Sequence, residues 1–213
     1  LFSTSTGSAS SQILHEYEVV NSTIFANAGQ TQNIVYGSAS SSIGRFEKIT
    51  MRNSTFSNCA RGLITVSNTA DIPYEIVLDG CTLYNMGCAG SNALLDIRIA
   101  GTQYAAQRSI ALRNSIIHYG STKGYKLLQF GGKEEGDYIP SEQIDCENFH
   151  YFSSQTPAFG SSAYNIADRM TSYSGTPTDL WSNPMADPSA AGASFRIKDP
   201  AIRAAQEAAG PPP

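Results

Sequence analysis

The most informative stretch of this chain is Phe46-Glu47-Lys48-Ile49-Thr50-Met51-Arg52-Asn53-Ser54-Thr55-Phe56. Apolar Ile49 and Met51 alternate with polar neighbours, which is the pattern of a strand with one face in water. Asn53 ends the alternation, and asparagine tolerates the left-handed backbone of a tight corner. After the corner, Phe56 is placed to point inward again. The stretch therefore predicts a strand, a sharp corner and a second, shorter strand.

The same phrase recurs along the chain at intervals of 27 to 34 residues. Glycine replaces asparagine in one copy, and glycine also accepts positive φ. A second, apolar phrase stays in phase with the first. The corner positions are Asn21, Asn53, Gly80, Asn114 and Cys146, and the second phrase is Ile34-Val35, Leu63-Ile64, Leu94-Leu95 and Leu127-Leu128. Short β-branched segments repeated in this way predict one coil of a β-solenoid per period, because helical repeats need longer segments rich in Ala, Leu, Glu and Lys.

Three regions follow from this pattern. We predict that residues 13–173 form an all-β parallel β-helix of about five or six coils. Residues 1–12 are either a flexible N-terminal segment or an incomplete first coil. Residues 174–213 form a loop-rich tail, in which Asp199-Pro200 opens a short helix that ends before Gly210. N-cap Asp, Pro at the first helical position and Gly after the end are helix signals, and this helix is expected to cap the solenoid.

Composition narrows the function classes. Charged residues make up 15% of the chain and the formal charge is −4, so we expect no nucleic-acid partner. No apolar run of about 18 residues predicts a membrane span. The chain starts without Met or a signal peptide, and we expect an additional N-terminal region of the same protein. Abundant Ser, Thr and Asn with low charge are typical of exported proteins, which predicts an extracellular, periplasmic or cell-surface location.

These features resemble the pectate-lyase-like (pectin-lyase-like) parallel β-helix superfamily. The matching elements are the repeated Asn corner, the inward Ile, Leu, Val and Phe positions, and a closing pattern over 179–184 and 193–199. That closing pattern resembles secreted Bacteroides-type β-helix proteins, some of them attached to polysaccharide-utilisation systems. The resemblance implies a right-handed helix. It implies no single activity, since the superfamily includes lyases, hydrolases, esterases, adhesins and binding proteins.

Outward charged side chains line up when the coils are stacked on their corners. Immediately before the corner the column is Val20, Arg52, Asp79, Arg113 and Asp145, and five residues before it the column begins Glu16, Lys48 and Glu75. Parallel strands lie about 4.8 Å apart, so each cation is expected between two carboxylates. One interpretation is a charge ladder that fixes the register of the sheet. The other is a sugar-binding face on which Arg52 and Arg113 grip a uronate carboxylate.

Few other residues in the sequence indicate a catalytic or metal-binding site. Arg196-Ile197-Lys198 matches one polygalacturonase segment, but its acidic and His partners are missing from the chain. Glu134, Glu135 and Asp137 offer oxygen ligands for calcium or, alternatively, form a solvated loop; no other metal or cofactor is predicted. His118 and His150 are 32 residues apart, and we expect them to stack on a solvent-facing surface.

Three functions remain open from the sequence. The first is a secreted module that binds polysaccharide or oligosaccharide along an elongated face without catalytic residues. The second is a polysaccharide lyase or glycoside hydrolase whose site is completed by regions outside this chain. The third is a structural stalk or adhesin module.

Two structural predictions accompany the repeat. Asn21, Asn53 and Asn114 should form a stacked amide ladder that Gly80 interrupts. Cys59 and Cys88 occupy the same place in successive coils, so their Cα atoms should lie about 5 Å apart. At this distance either a disulfide or two buried thiols would satisfy the pattern.

Overall fold

The computed structural model describes residues 2–4, 13–25, 33–38, 45–68, 73–87, 93–99, 103–119, 126–130, 139, 141–153, 156–160, 164–173, 200 and 204. The strands, β1 to β14 in chain order, are Phe2–Thr4, Ile13–Val20, Thr23–Phe25, Val35–Ser38, Arg45–Arg52, Thr55–Ser57, Ile64–Asn68, Tyr74–Asp79, Thr82–Met86, Leu95–Ile99, Arg108–Tyr119, Leu128–Phe130, Ile144–Phe152 and Thr171–Tyr173. Short 3₁₀ turns lie at Ala105–Gln107, Ser141–Gln143 and Ala167–Arg169. The all-β class predicted from the sequence is confirmed.

The described strand pairs are all parallel, and each strand pairs with the equivalent strand one repeat away. One sheet has the order β1-β4-β7-β10-β12. The larger sheet bends at the corner residues into two halves. Its pre-corner half contains β2, β5, β8 and the first parts of β11 and β13; its post-corner half contains β3, β6, β9, the second parts of β11 and β13, and β14.

The core is built from side chains at equivalent positions in successive repeats. Val35, Ile64, Leu95 and Leu128 are aligned by strand pairing, and each is fully buried. These residues belong to the second apolar phrase, so its predicted in-phase stacking is confirmed. Stacks of this kind form one continuous cluster along the repeats. Burial of each large apolar side chain contributes about 1.5–3 kcal/mol, and this contribution recurs in every repeat.

The corner residues have the predicted left-handed backbone. Asn21, Asn53, Gly80 and Asn114 have φ values of 51°, 47°, 65° and 49°. The last corner was wrongly placed at Cys146. Arg113 pairs with Glu147 and Ser115 with Phe149, so the equivalent of Asn114 is Asn148, whose φ is 49°. Cys146 instead continues the inward alternation opposite Leu112.

Backbone and hydroxyl groups tie the corners together. The amide N–H of Asn21 donates to the carbonyl of Arg52 over 3.1 Å, and that of Asn53 donates to Asp79 over 3.0 Å. The hydroxyl of Ser54 donates to the Arg52 carbonyl over 2.7 Å and accepts the Ser22 N–H over 3.1 Å. Serine after the corner therefore satisfies backbone groups of its own repeat and of the preceding one.

The predicted amide ladder of Asn21, Asn53 and Asn114 is wrong in its first step: the structure places no hydrogen bond between the side chains of Asn21 and Asn53, both of which it describes. Asn114 does take part in a ladder, but with Asn148, which the prediction did not include. Asn148 Nδ2 donates to Asn114 Oδ1 over 3.2 Å, and Asn114 Nδ2 reaches past Gly80 to Asp79 Oδ1 over 2.9 Å. A second amide column was missed by the sequence analysis. It joins Asn85 Nδ2 to Asn58 Oδ1 over 2.7 Å, and both residues have positive φ.

Several predictions fall at the edges of the described residues. Phe2–Thr4, in the predicted N-terminal segment, pairs with β4. In the predicted capping helix, Pro200 and Ala204 are helical, and the remainder of the tail lies outside the described residues. Cys59 is fully buried, but Cys88 is not among the described residues, so the proximity of the two thiols stays a prediction.

Candidate functional site

The outer face of the pre-corner half carries the charged columns. We call it the charged face and define it by Glu16, Glu18, Lys48, Arg52, Glu75, Asp79, Arg113, Asp145 and Glu147. These residues alternate along β2, β5, β8, β11 and β13 with core residues such as Ile49 and Leu112, so they point away from the core. Strand pairing places the predicted candidates Arg52, Asp79 and Arg113 in adjacent strands of one column.

The second column is held by bridging ion pairs. Pairing aligns Glu16 with Lys48 and Lys48 with Glu75, as predicted. The Lys48 Nζ atom lies 3.7 Å from Glu16 Oε1 and 3.8 Å from Glu75 Oε2. The three side chains are 40–55% exposed, so water screens these pairs and each contributes at most about 1 kcal/mol.

Asp145 is not in the column to which the sequence assigned it. It pairs with Ala111, and Glu147 occupies the position beside Arg113. The contact between Arg113 and Asp145 forms nevertheless, because the long guanidinium side chain reaches the carboxylate diagonally. Arg113 Nε donates to Asp145 Oδ2 over 2.6 Å, and Nη2 contacts the same oxygen. The predicted pair is therefore present with a different register.

Arg113 is surrounded by acidic groups. The hydrogen bond with Asp145 raises the pKa of Arg113, and Asp145, Asp79 and Glu147 add Coulombic attraction. Its guanidinium is therefore always charged, and much of its field is balanced by neighbouring carboxylates. Over the charged face, six carboxylates outnumber three cations. This balance opposes the approach of an anionic polymer.

A chain of hydrogen bonds connects the charged face to the post-corner half. Its members are Asp79, Asn114, Asn148 and His150. His150 Nε2 donates to Asn148 Oδ1 over 2.8 Å, and the chain continues through the amide ladder to Asp79 Oδ1. His150 is only 6% exposed and is therefore held in place, so this series of hydrogen bonds orients the Asp79 carboxylate. Sequence analysis missed this link because it placed the last corner at Cys146.

Between the two charged columns lies a middle column of Glu18, Thr50, Val77, Ala111 and Asp145. Thr50 and Val77 are buried although they point outward, whereas Glu18 and Asp145 are exposed. Thr50 is 2% exposed and Val77 is 8% exposed, and neither belongs to the core cluster. The hydroxyl of Thr50 has no hydrogen-bond partner. A buried hydroxyl without a partner has lost its hydration without compensation, which costs about 1–3 kcal/mol. The charged face thus has, at the Thr50 position between its two charged columns, one buried hydroxyl without a partner.

The predicted histidine stack is wrong. His118 pairs with Phe152, and His150 pairs with Ile116, so the two rings are displaced by two residues. Both are buried, with 7% and 6% exposure. His118 stacks on the Tyr84 ring at a centroid distance of 5.1 Å, and its Nδ1 accepts the Asn85 N–H over 3.3 Å. Burial lowers the pKa of His118 to about 4, so this ring is neutral at pH 7.

Metal-ligating side chains do not gather within the part of the chain that the structure describes: no group of three or more His, Cys, Asp or Glu residues is placed to hold a metal ion there. The calcium candidates Glu134, Glu135 and Asp137 lie outside it. Among the described residues, no helix is both long and apolar enough to cross a membrane.

Comparison with known proteins gives no relative: no family model, no curated protein and no solved structure matches this chain.

Proposed function

We propose that this chain is a right-handed parallel β-helix of the pectate-lyase-like kind that binds a polysaccharide along its charged face. The observation that carries the proposal is the alignment of two columns of half-exposed hydrogen-bonding side chains across adjacent parallel strands. Equivalent groups recur at multiples of about 4.8 Å, which suits a polymer with a repeating structure. We place the protein in an exported location, where such polymers occur.

The charge balance favours a neutral polysaccharide over a uronate. Arg113 already contacts Asp145, and Lys48 lies between two carboxylates. A uronate carboxylate would have to displace these partners and face the acidic majority of the surface. Sugar hydroxyl groups, in contrast, donate to carboxylates and accept from Arg and Lys without displacing the ion pairs.

Affinity gel electrophoresis tests this proposal. Migration of the protein is compared in gels that contain galactomannan, xyloglucan, mixed-linkage glucan or polygalacturonate. Arg113→Ala and Lys48→Ala should abolish retardation by the neutral polymer that retards the parent protein, while their melting temperatures barely move. Arg61→Ala, an exposed arginine after the corner strand β6, is the matched control. Unchanged retardation of both charged-face variants would contradict the proposal.

A structural stalk is the second candidate. It is favoured by the same ion pairs, because charges that satisfy one another serve to fix strand register. A stalk predicts no retardation in any gel. The enzymatic alternative predicts new reducing ends or unsaturated products when the full-length protein is incubated with the polymer, and those assays separate it from binding alone.

A further inference from the structure

Six described asparagines have a left-handed backbone, and their side chains fall into two groups. Four of them form side-chain hydrogen bonds within the fold: Asn58, Asn85, Asn114 and Asn148. The other two, Asn21 and Asn53, form no side-chain hydrogen bond to another described residue. The backbone N–H of Asn21 donates to the Arg52 carbonyl over 3.1 Å, and that of Asn53 donates to the Asp79 carbonyl over 3.0 Å. These two corners are therefore tied to the next repeat through the backbone, and their side-chain amides are not needed for it.

Sequence context separates the same two groups. The chain has two Asn-X-Ser/Thr triplets, Asn21-Ser22-Thr23 and Asn53-Ser54-Thr55. This triplet is the acceptor for N-linked oligosaccharides. Two positions after the four bonded asparagines the residues are Ala60, Gly87, Ile116 and His150, so none of those asparagines is an acceptor. The acceptor triplet thus occurs where the side-chain amide is free and is missing where the fold uses the amide.

Asn21 is the more accessible of the two acceptors. Asn21 and Thr23 are exposed, whereas Asn53 and Thr55 are half-buried. An oligosaccharide on Asn21 Nδ2 would break no hydrogen bond among the described residues. Asn21 and Asn53 occupy equivalent corners of paired strands, about 4.8 Å apart, so a branched oligosaccharide on one would crowd the other. This geometry favours one glycan per chain, carried by Asn21.

Asn21 lies between two edge strands at one end of the larger sheet. β2 precedes it and β3 follows it, and these two strands terminate the sheet order β2-β5-β8-β11-β9-β6-β3. Among the described strands, none pairs with the outer edge of β2 or of β3. An unpaired edge is a template for pairing with another chain, and Val20 beside Asn21 adds a large apolar side chain that is 38% exposed. A bulky, hydrophilic group on Asn21 would obstruct such pairing.

We propose that Asn21 is an N-glycosylation site and that its glycan shields the edges of β2 and β3 from pairing with another chain. The donor is an oligosaccharide linked to a lipid diphosphate. A bond forms between Asn21 Nδ2 and the anomeric carbon of the first sugar, and the bond from that carbon to the diphosphate oxygen breaks. Nδ2 loses one proton, and the lipid diphosphate leaves. The site shares with the proposed function only the exported location, and it does not depend on polysaccharide binding by the charged face.

The site is tested by secreting the full chain from a eukaryotic cell behind a host signal peptide. Mass spectrometry of the peptide that contains Asn21 should show an added oligosaccharide, and peptide:N-glycosidase should remove it and leave Asp at this position. Asn21→Gln and Thr23→Val should each abolish the modification, because each destroys the triplet. Thr23→Ser keeps the triplet and Asn53→Gln removes only the other acceptor, so both variants should still carry the glycan on Asn21.

Shielding is tested by light scattering on the glycosylated protein, the glycosidase-treated protein and Thr23→Val, which keeps Asn21 without a glycan. Association of the two unglycosylated forms, with a monomeric glycosylated form, supports the proposal. An unmodified Asn21 in the secreted protein, or a glycan on Asn53 in its place, overturns the site. Equal association of all three forms overturns the shielding role. Retardation in the polysaccharide gels tests the charged face separately, so either proposal can fail alone.

Discussion

Substitution of Asn114 tests the corner architecture most informatively, because this residue combines a left-handed backbone with two amide hydrogen bonds. Its φ is 49°, and its side chain accepts from Asn148 and donates to Asp79. Asn114→Gly keeps the backbone preference and removes the two hydrogen bonds. Asn114→Ala removes both features.

The expected magnitudes follow from these contacts. A neutral hydrogen bond contributes about 0.5–1.5 kcal/mol and one to a charged group about 1.5–3 kcal/mol. Asn114, Asn148 and Asp79 are half-buried, so water replaces part of this loss. Asn114→Gly should therefore lower the free energy of unfolding by about 1–2 kcal/mol. Asn114→Ala should cost about 1 kcal/mol more, since alanine in the left-handed region is strained.

Asn21 is the matched control. Its φ is 51°, and its exposed side chain makes no hydrogen bond to another described residue. Asn21→Gly should leave stability within about 0.5 kcal/mol, and Asn21→Ala should cost about 1 kcal/mol. Urea unfolding followed by circular dichroism measures all four variants. Equal urea midpoints for Asn114→Gly and Asn21→Gly would refute the argument that the amide ladder stabilises the later repeats.

Three further predictions concern buried groups. Burial lowers the pKa of His118 to about 4, below the value of about 6.5 in an unfolded chain. Between these pH values the unfolded state binds the extra proton, so the stability from neutral His118 is complete above pH 6.5 and falls by about 3 kcal/mol as the pH drops to 4. His118→Phe should flatten this part of the plot of urea midpoint against pH, and an unchanged slope would exclude His118 as its source. Burial raises the pKa of Cys81 to about 12 and partial burial raises that of Cys146 to about 11, so neither thiol should react rapidly with iodoacetamide in the folded protein at pH 8. Rapid labelling of either, found by peptide mass spectrometry, would contradict this prediction. A Cβ atom on Gly62 would lie 1.8 Å from the Ala93 carbonyl oxygen, so Gly62→Ala should destabilise the chain by more than about 3 kcal/mol or prevent its folding. A parent-like melting temperature would show that the repeats containing Gly62 and Ala93 lie farther apart.

The sequence predicted the repeat well because its signals are local. Alternation around Ile49 marks a strand, and a left-handed residue marks each corner, whatever lies elsewhere in the chain. The last corner was misplaced because Phe149 follows Cys146 by three residues, as Phe56 follows Asn53, so Cys146 was matched to the corner position. Loops between coils vary in length, so the alternation continues through Cys146 and the corner falls at the next residue that tolerates positive φ, Asn148.

The candidate site was only partly predictable. Columns of Glu16, Lys48 and Glu75 follow from register alone. The burial of an outward-pointing side chain does not follow from register, because it depends on contacts that the repeat pattern does not specify. For this reason His118 and His150 were expected in solvent and are buried. Asp96 and Arg98 on β10 are joined by two hydrogen bonds. Opposite charges at i and i+2 in a strand indicate such a pair in the sequence, but the burial of Asp96 is a tertiary property.

Residue-level mapping of a bound oligosaccharide would show whether a polysaccharide binds along the charged face. The amide resonances of the isotope-labelled protein would be followed by NMR during titration with a neutral oligosaccharide. This oligosaccharide would come from the polymer that retards the protein in the gels. We predict saturable shifts along the charged face, centred on Lys48, Asp79 and Arg113. Shifts confined to other surfaces, or no shifts at all, would contradict binding along the charged face.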